Sequence, residues 1–254
     1  MRLLETKGLT KHFGGLAAVV DVDIHVDAGE IAALIGPNGA GKTTMFNLLT
    51  GFDRPTSGKV IFKGRDITGL RPHKIAGYGL SRTWQQTTLF KELTTLDSVV
   101  LACHLHQKPR FFGYLFKTPR SRQDDAAAVE QAEEILEFLG MGSYKNELPY
   151  NLPYGFQRIL GVGMTMATKP ELMLLDEAVT GMNPAEAVMM MNTIRKIRDR
   201  GITILVVEHN MKVVMGISER ICVLDFGRKI AEGKPAEITK NKDVIEAYLG
   251  AKVE

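Results

Sequence analysis

Two cysteines in 254 residues, Cys103 and Cys222, leave little room for sulfur chemistry. They are far apart and form no CxxC pair, which argues against a disulfide framework or a zinc site. Such sparing use fits a reduced, cytosolic compartment. Charge is nearly balanced: the net of +3 is too small to argue for nucleic acid by itself. No run approaches the ~18 apolar residues needed to span a bilayer. A membrane role would therefore be that of a peripheral subunit. The opening Met1-Arg2-Leu3-Leu4-Glu5-Thr6-Lys7 lacks the apolar core of a signal peptide. No internal repeat, low-complexity segment or heptad run stands out. What remains is an ordinary globular composition, 44% hydrophobic and 24% charged. The length suits one large domain, or a core plus a subdomain.

Within this plain background one stretch stands out. Gly36-Pro37-Asn38-Gly39-Ala40-Gly41-Lys42-Thr43-Thr44 fits G-x-x-x-x-G-K-[ST], the pattern of a phosphate-binding loop. Ile31 to Ile35 before it reads as a buried strand, and Thr44 to Leu49 after it as the first turns of a helix. Glycines let successive backbone N–H groups point inward, and the helix N-terminus adds partial positive charge. Lys42 would reach the terminal phosphates, and the Thr43 hydroxyl would ligate Mg²⁺.

Earlier in the chain, Leu3 to Thr10 and Val20 to Val26 alternate apolar and polar residues, as antiparallel strands with one wet face do. Phe13 lies between them, and its residue type alone favours a core anchor over a platform for a flat ring. Lys59 to Phe62 is a further strand. Residues 92–168 look like a separate helical unit, with Leu96, Val99, Val100 and Cys103, then Ala132, Ile135, Leu136 and Leu139, at helical spacing. Between these helices runs a basic, aromatic excursion, Lys108 to Arg122. Its preferred reading is a loop with packed aromatics and wet charges, ahead of a membrane or partner contact and well ahead of nucleic acid.

The α/β pattern resumes with Leu172 to Leu175, a buried strand that ends in Asp176 and Glu177. Ligands of open α/β sheets bind at such strand ends. Pro184 to Arg200 reads as a helix, with Met189, Met190 and Met191 as core filler. Ile202 to Val207 is another buried strand, ending in Glu208 and His209. A helix from Met211 to Ser218, strands at Ile221 to Asp225 and Arg228 to Ala231, and a helix from about Asp243 to Leu249 follow. Asp176 is placed to hold Mg²⁺, Glu177 to polarise a water, and His209 to contact a γ-phosphate. The reaction class is phosphoryl transfer to water.

With those residues in view, the chain resembles the ATP-binding subunit of an ABC transporter over essentially its whole length. Gly36 to Thr44 matches the Walker A loop, Leu172 to Glu177 the Walker B strand, Gln85 the Q-loop, and His209 the H-loop. Leu152-Pro153-Tyr154-Gly155-Phe156-Gln157-Arg158 lies where the LSGGQ signature belongs, and Gly181-Met182-Asn183-Pro184 at the D-loop. The resemblance implies an α/β P-loop NTPase: a RecA-like core with an antiparallel β subdomain (1–91 and 169–254) and an inserted helical subdomain (92–168). It implies Glu177, His209 and Gln85 as catalytic residues, and Thr43, Gln85 and Asp176 around Mg²⁺. ATP would lie on residues 36–44, on Gly155, and under Phe13, whose ring would stack on adenine. That last role displaces the core-anchor reading.

Within the family the chain is most similar to the LivG-type subunit of branched-chain amino-acid importers. Supporting stretches include Ser81-Arg82-Thr83-Trp84-Gln85, Val207 to Gly216, and Val244 to Gly250. The implied partners are transmembrane permease subunits, a second ATP-binding subunit (a LivF-like paralogue or a second copy) and, indirectly, a periplasmic or extracellular solute-binding protein. Nucleic acid is not among them. The implied location is the cytoplasmic face of the cell membrane. An importer of urea or amides, a soluble ABC ATPase and a non-enzymatic nucleotide-binding regulator are the competing readings. The chain also departs from the family pattern. Pro153 stands at the signature serine, Phe156 at its glutamine, Ala178 at the proline after the catalytic glutamate, and Asn183 at the D-loop aspartate.

Overall fold

The structure, a computed structural model, describes residues 1–83, 90, 92–104 and 119–249, with side chains omitted at 119–121. The chain divides into two compact units, one of Met1–Arg82 with Glu171–Glu254, the other of Thr83–Pro170. Gln85 and most of the basic, aromatic excursion lie outside the described residues.

The first unit holds two sheets. Strands β1 (Arg2–Phe13), β2 (Leu16–Val22), β3 (His25–Asp27), β5 (Ser57–Phe62) and β6 (Arg65–Asp66) form an antiparallel sheet ordered β2-β1-β5-β6, with β3 also on β1. The expected single strand from Val20 to Val26 is two strands here. Its interruption follows from Thr6 on β1, whose buried hydroxyl donates to the Val22 carbonyl (2.8 Å) and accepts from the Ile24 N–H (2.9 Å). A side chain thus replaces one rung of the ladder.

The second sheet is ordered β11-β10-β4-β9-β8-β7: β11 (Arg228–Gly233), β10 (Arg220–Asp225), β4 (Ile31–Ile35), β9 (Thr203–Val207), β8 (Leu172–Asp176) and β7 (Leu80–Arg82). All neighbours are parallel except β10 and β11. Every residue of β4, β8 and β9 is buried, as parallel strands covered on both faces require. β7 has only three residues, too few for a periodic signal in the sequence.

One core serves both sheets. Leu4, Val26 and Phe62 of the antiparallel sheet share it with Leu34, Leu174 and Leu224 of the parallel one, and with Phe46 and Leu49 of helix α1 (Lys42–Thr50). The short helix α2 (Pro72–Gly77) adds Ile75. Where the sheets adjoin at the surface, Arg220 of β10 pairs with Glu30, with His25 of β3, and with Glu232 of β11 at 3.1 Å.

The second unit is helical. Helices α3 (Thr95–His104), α4 (Pro119–Phe138) and α5 (Tyr154–Ala167) bury Val99, Ala132, Leu136, Ile159 and Leu160. Leu96 and Val100 are half-buried.

The remaining helices belong to the first unit: α6 (Pro184–Asp199), α7 (Met211–Ile217), α8 (Pro235–Ile238) and α9 (Lys242–Leu249). Met190 is fully buried on α6, while its two methionine neighbours are half-buried. Asn183 caps α6. Its side chain accepts from the Ala185 and Glu186 N–H groups, and Glu186 accepts from the Asn183 N–H in return. An amide oxygen caps as well as a carboxylate does, so asparagine keeps this function where the family pattern has aspartate. Asn183→Ala is expected to cost about 1 kcal/mol, a fall of about 2–4 °C in the melting midpoint. An unchanged midpoint in a thermal melt of the full chain would show that the cap carries no stability.

Candidate functional site

The parallel strands of the first unit end on one side, and the residues with chemistry follow those ends. After β4 the backbone turns through Gly36 and enters α1 at Lys42. Gly36 (φ 154°) and Gly41 (φ 98°) lie where side chains are strained, and neither has room for one. A Cβ on Gly36 would sit 2.2 Å from the Leu224 carbonyl oxygen, and one on Gly41 2.5 Å from that of Ala18. The loop is thus wedged between β10 and β2. Asn38, Gly39 and Thr43 are exposed, Thr44 is half-buried, and Ala40 is buried, its carbonyl accepting from Gly227 at 3.1 Å. The N–H groups that open α1 and the helix dipole suit an anion.

The Lys42 ammonium curls back over its own loop and donates to the carbonyls of Gly36 (2.8 Å) and Pro37 (2.9 Å). Burial lowers its pKa, and the negative charge of Glu177 partly opposes the fall. Among the described residues its hydrogen bonds are to carbonyl dipoles, so the cation is well placed to gain from an arriving anion.

Asp176 and Glu177 leave β8 in different environments. Asp176 is buried, and Arg82 at the end of β7 donates to its Oδ2 at 2.5 Å. The other Arg82 terminal nitrogen donates to Asn47 of α1 at 2.7 Å, and the guanidinium lies 5.4 Å from the Phe46 ring centre. In the sequence Arg82 carries no signal beyond its place in a family-like stretch; its pairing depends on a β7–β8 register that the sequence does not display. Glu177 takes a left-handed backbone (φ 48°), uncommon for a side-chain-bearing residue and typical of sites where neighbours hold strain in place. Its N–H donates to Val207, Thr180 donates to its Oε2 at 3.3 Å, and the His209 Nδ1 lies 3.9 Å from its Oε1. The His209 side chain is more than half exposed. Lys42, Glu177 and His209 are thereby brought to one site.

Phe13 is 45% exposed at the end of β1, with the Lys11 ammonium 4.6 Å above its ring. A core anchor would be buried, so the reading from residue type alone is corrected. At the other end of the chain, burial raises the Tyr248 phenol of α9, partly offset by the Gly36 N–H. The last helix therefore meets the first glycine of the loop, a contact no motif announces. Cys222 is buried in β10, with its thiol pushed up to about 12, too high for thiolate chemistry.

Gly155 belongs to the second unit, buried in the first turn of α5. Pro153 stands at the N-cap of that helix and offers no side-chain cap. Gln157 donates to the Leu152 carbonyl at 2.9 Å, and the Phe156 ring packs on Tyr144 at 4.9 Å. Phe156 is thus spent on packing within its own unit.

Among the described residues there is no group of three or more His, Cys, Asp or Glu that could hold a metal by itself. The Thr43 hydroxyl and the Asp176 carboxylate are nevertheless hard oxygen donors. They suit Mg²⁺, which takes few protein ligands and fills its shell with phosphate and water.

A glycine-wedged loop after a central parallel strand, a lysine over its mouth, and acids at the adjacent strand end define a P-loop nucleotide-binding fold. The family model described as "ABC transporter" matches residues 19–180, and that described as "Branched-chain amino acid ATP-binding cassette transporter" matches residues 228–254. The chain is 44% identical over 249 residues to the high-affinity branched-chain amino acid transport ATP-binding protein BraF of Pseudomonas aeruginosa, covering 98% of each. It is 43% identical, with the same coverage, to LivG of Escherichia coli K12. A crystal structure of the ADP conformation of an ABC-transporter cassette superposes with a TM-score of 0.85, at 30% identity, over 99% of this chain and all of that one. The chain belongs to the ATP-binding proteins of ABC transporters, in the branch that holds BraF and LivG. It is a nucleotide-binding cassette that hydrolyses ATP.

Arg82 and Asp176 are both almost fully buried, so removing the arginine takes a buried counter-charge away from the carboxylate. Arg82→Met is expected to cost about 3–5 kcal/mol. Adding Asp176→Asn should recover much of that. Urea unfolding of the full chain in nucleotide-free, EDTA-containing buffer measures both. A single-variant loss below about 1 kcal/mol would mean that the pair is not what neutralises Asp176.

Proposed function

We propose that this chain powers an importer of branched-chain amino acids, acting at the cytoplasmic face of the membrane with permease subunits and a second ATP-binding subunit. The observation that carries the reading is the match of residues 228–254 to the branched-chain cassette family, joined to 44% identity with BraF over nearly the whole chain. No helix among the described residues is long and apolar enough to cross a membrane, in keeping with a peripheral subunit.

In this reading the amides from Gly39 to Thr44 receive the phosphates, and Lys42 exchanges its two carbonyl partners for phosphate oxygens. Positioning and electrostatics then supply the rate, as in other phosphoryl transfers. Glu177 orients and polarises the attacking water, and His209 contacts the γ-phosphate. Phe13 offers its exposed face to adenine. Thr43, Asp176 and Gln85 would hold Mg²⁺, which supplies charge neutralisation between the phosphates. The head-to-tail pairing that the family resemblance implies would bring the signature of one subunit to the nucleotide of the other.

Pro153 has neither a hydroxyl nor an N–H, and Phe156 is committed to Tyr144. This chain therefore offers its partner a weaker signature than it offers catalytic residues to itself. One lost hydrogen bond to a charged group costs roughly 1.5–3 kcal/mol, about one to two decades in rate. With a paralogue that carries an intact signature, the better site pairs that signature with Glu177. Glu177→Gln should stop transport, while the matching change in the paralogue should be milder. Uptake of branched-chain amino acids, with urea as the control solute, and ATP turnover in one reconstituted transporter measure this. Equal losses from the two changes would remove the asymmetry, and wild-type turnover by Glu177→Gln would remove Glu177 from its role.

A further inference from the structure

Glu208 follows β9 directly and precedes His209. A carboxylate at a strand end beside an exposed histidine would ordinarily face water, yet Glu208 is only 2% exposed. Its Oε1 accepts from the Val179 N–H at 2.9 Å, and among the described residues its Oε2 has no hydrogen-bond partner. Burying a carboxyl so is costly unless something is gained. Burial raises its pKa, and the nearby Glu177 adds to the rise, while the Val179 N–H and His209 oppose it.

The partner of Glu208 gives the cost a purpose. Strands β8 and β9 run in register, Asp176 beside Val207, and the Glu177 N–H donates to the Val207 carbonyl. Glu177 and Glu208 therefore leave neighbouring strand ends in step. Val179 lies two residues beyond Glu177, within a tight turn in which Thr180 N–H returns to the Glu177 carbonyl (3.2 Å) and Met182 N–H to Val179 (3.1 Å). The same turn brings the Thr180 hydroxyl onto the Glu177 carboxylate. Holding the Val179 amide holds the turn, and the turn holds a glutamate whose own backbone is strained.

We propose that Glu208 is a positioning residue for Glu177: it clamps the turn after β8 to the end of β9, so that Glu177 and its neighbour His209 are aimed as one piece. The inference rests on the reading of Glu177 as the residue that polarises water.

Three variants of Glu208 test it in the reconstituted transporter. Glu208→Met matches the length but removes the acceptor for Val179. It should leave ATP affinity within about twofold and lower kcat by about ten- to a hundredfold, the scale of a small misplacement of a catalytic group. Glu208→Gln retains an acceptor oxygen and should keep most of kcat. If Glu208→Met does not fold, Glu208→Asp, which withdraws the carboxyl by one methylene, should still split kcat from ATP affinity in the same direction. Wild-type kcat in both Glu208→Met and Glu208→Asp would overturn the proposal. So would a fall in kcat and ATP affinity together. If Glu177→Gln itself turns over at the wild-type rate, the reading of Glu177 fails; if Glu177→Gln is inactive and Glu208→Met is not impaired, only this inference fails.

Discussion

The close approach of backbone to backbone at Gly36 and Gly41 is the constraint on which the first unit is built. A loop that must point its amides at an anion cannot carry side chains where it presses on β10 and β2. Strand β4 delivers the loop from the centre of the sheet, and α1 carries the core residues Phe46 and Leu49 that hold it from behind. The loop is therefore braced by the core beneath it.

Around that loop the fold manages charge by pairing groups unequally. Asp176 is neutralised in advance by Arg82, which ties β7, β8 and α1 together through Asn47. Among the described residues Lys42 bonds to carbonyl dipoles and feels the charge of Glu177. Glu177 is held by a hydroxyl and approached by an exposed imidazole. The buried pair is matched in charge, while Lys42, Glu177 and His209 are less completely matched, as groups at binding sites often are. The same division separates Phe156, packed on Tyr144, from Phe13, left open at a strand end.

How much of this was legible in the sequence depended on how each feature is encoded. Strands β4, β8 and β9 are uninterrupted apolar runs because both faces are covered, and the acids that end β8 are visible for the same reason. The phosphate loop is a contiguous motif. The break between β2 and β3 was not legible, since it depends on the Thr6 hydroxyl reaching a strand about 16 residues on. Nor was the role of Arg82, set by the register of a three-residue edge strand, nor the burial of Glu208, which looks like any polar strand end. Phe13 shows the converse limit: residue type favours burial, while its position at a hairpin end exposes it.

If Lys42 waits over the loop for phosphate rather than serving the fold, calorimetric titration of ATP should separate the wild-type chain from Lys42→Ala. The variant should stay folded and its affinity should fall by about tenfold or more, the worth of a charge-assisted hydrogen bond. Equal affinity in the two proteins would mean that Lys42 does not bind phosphate.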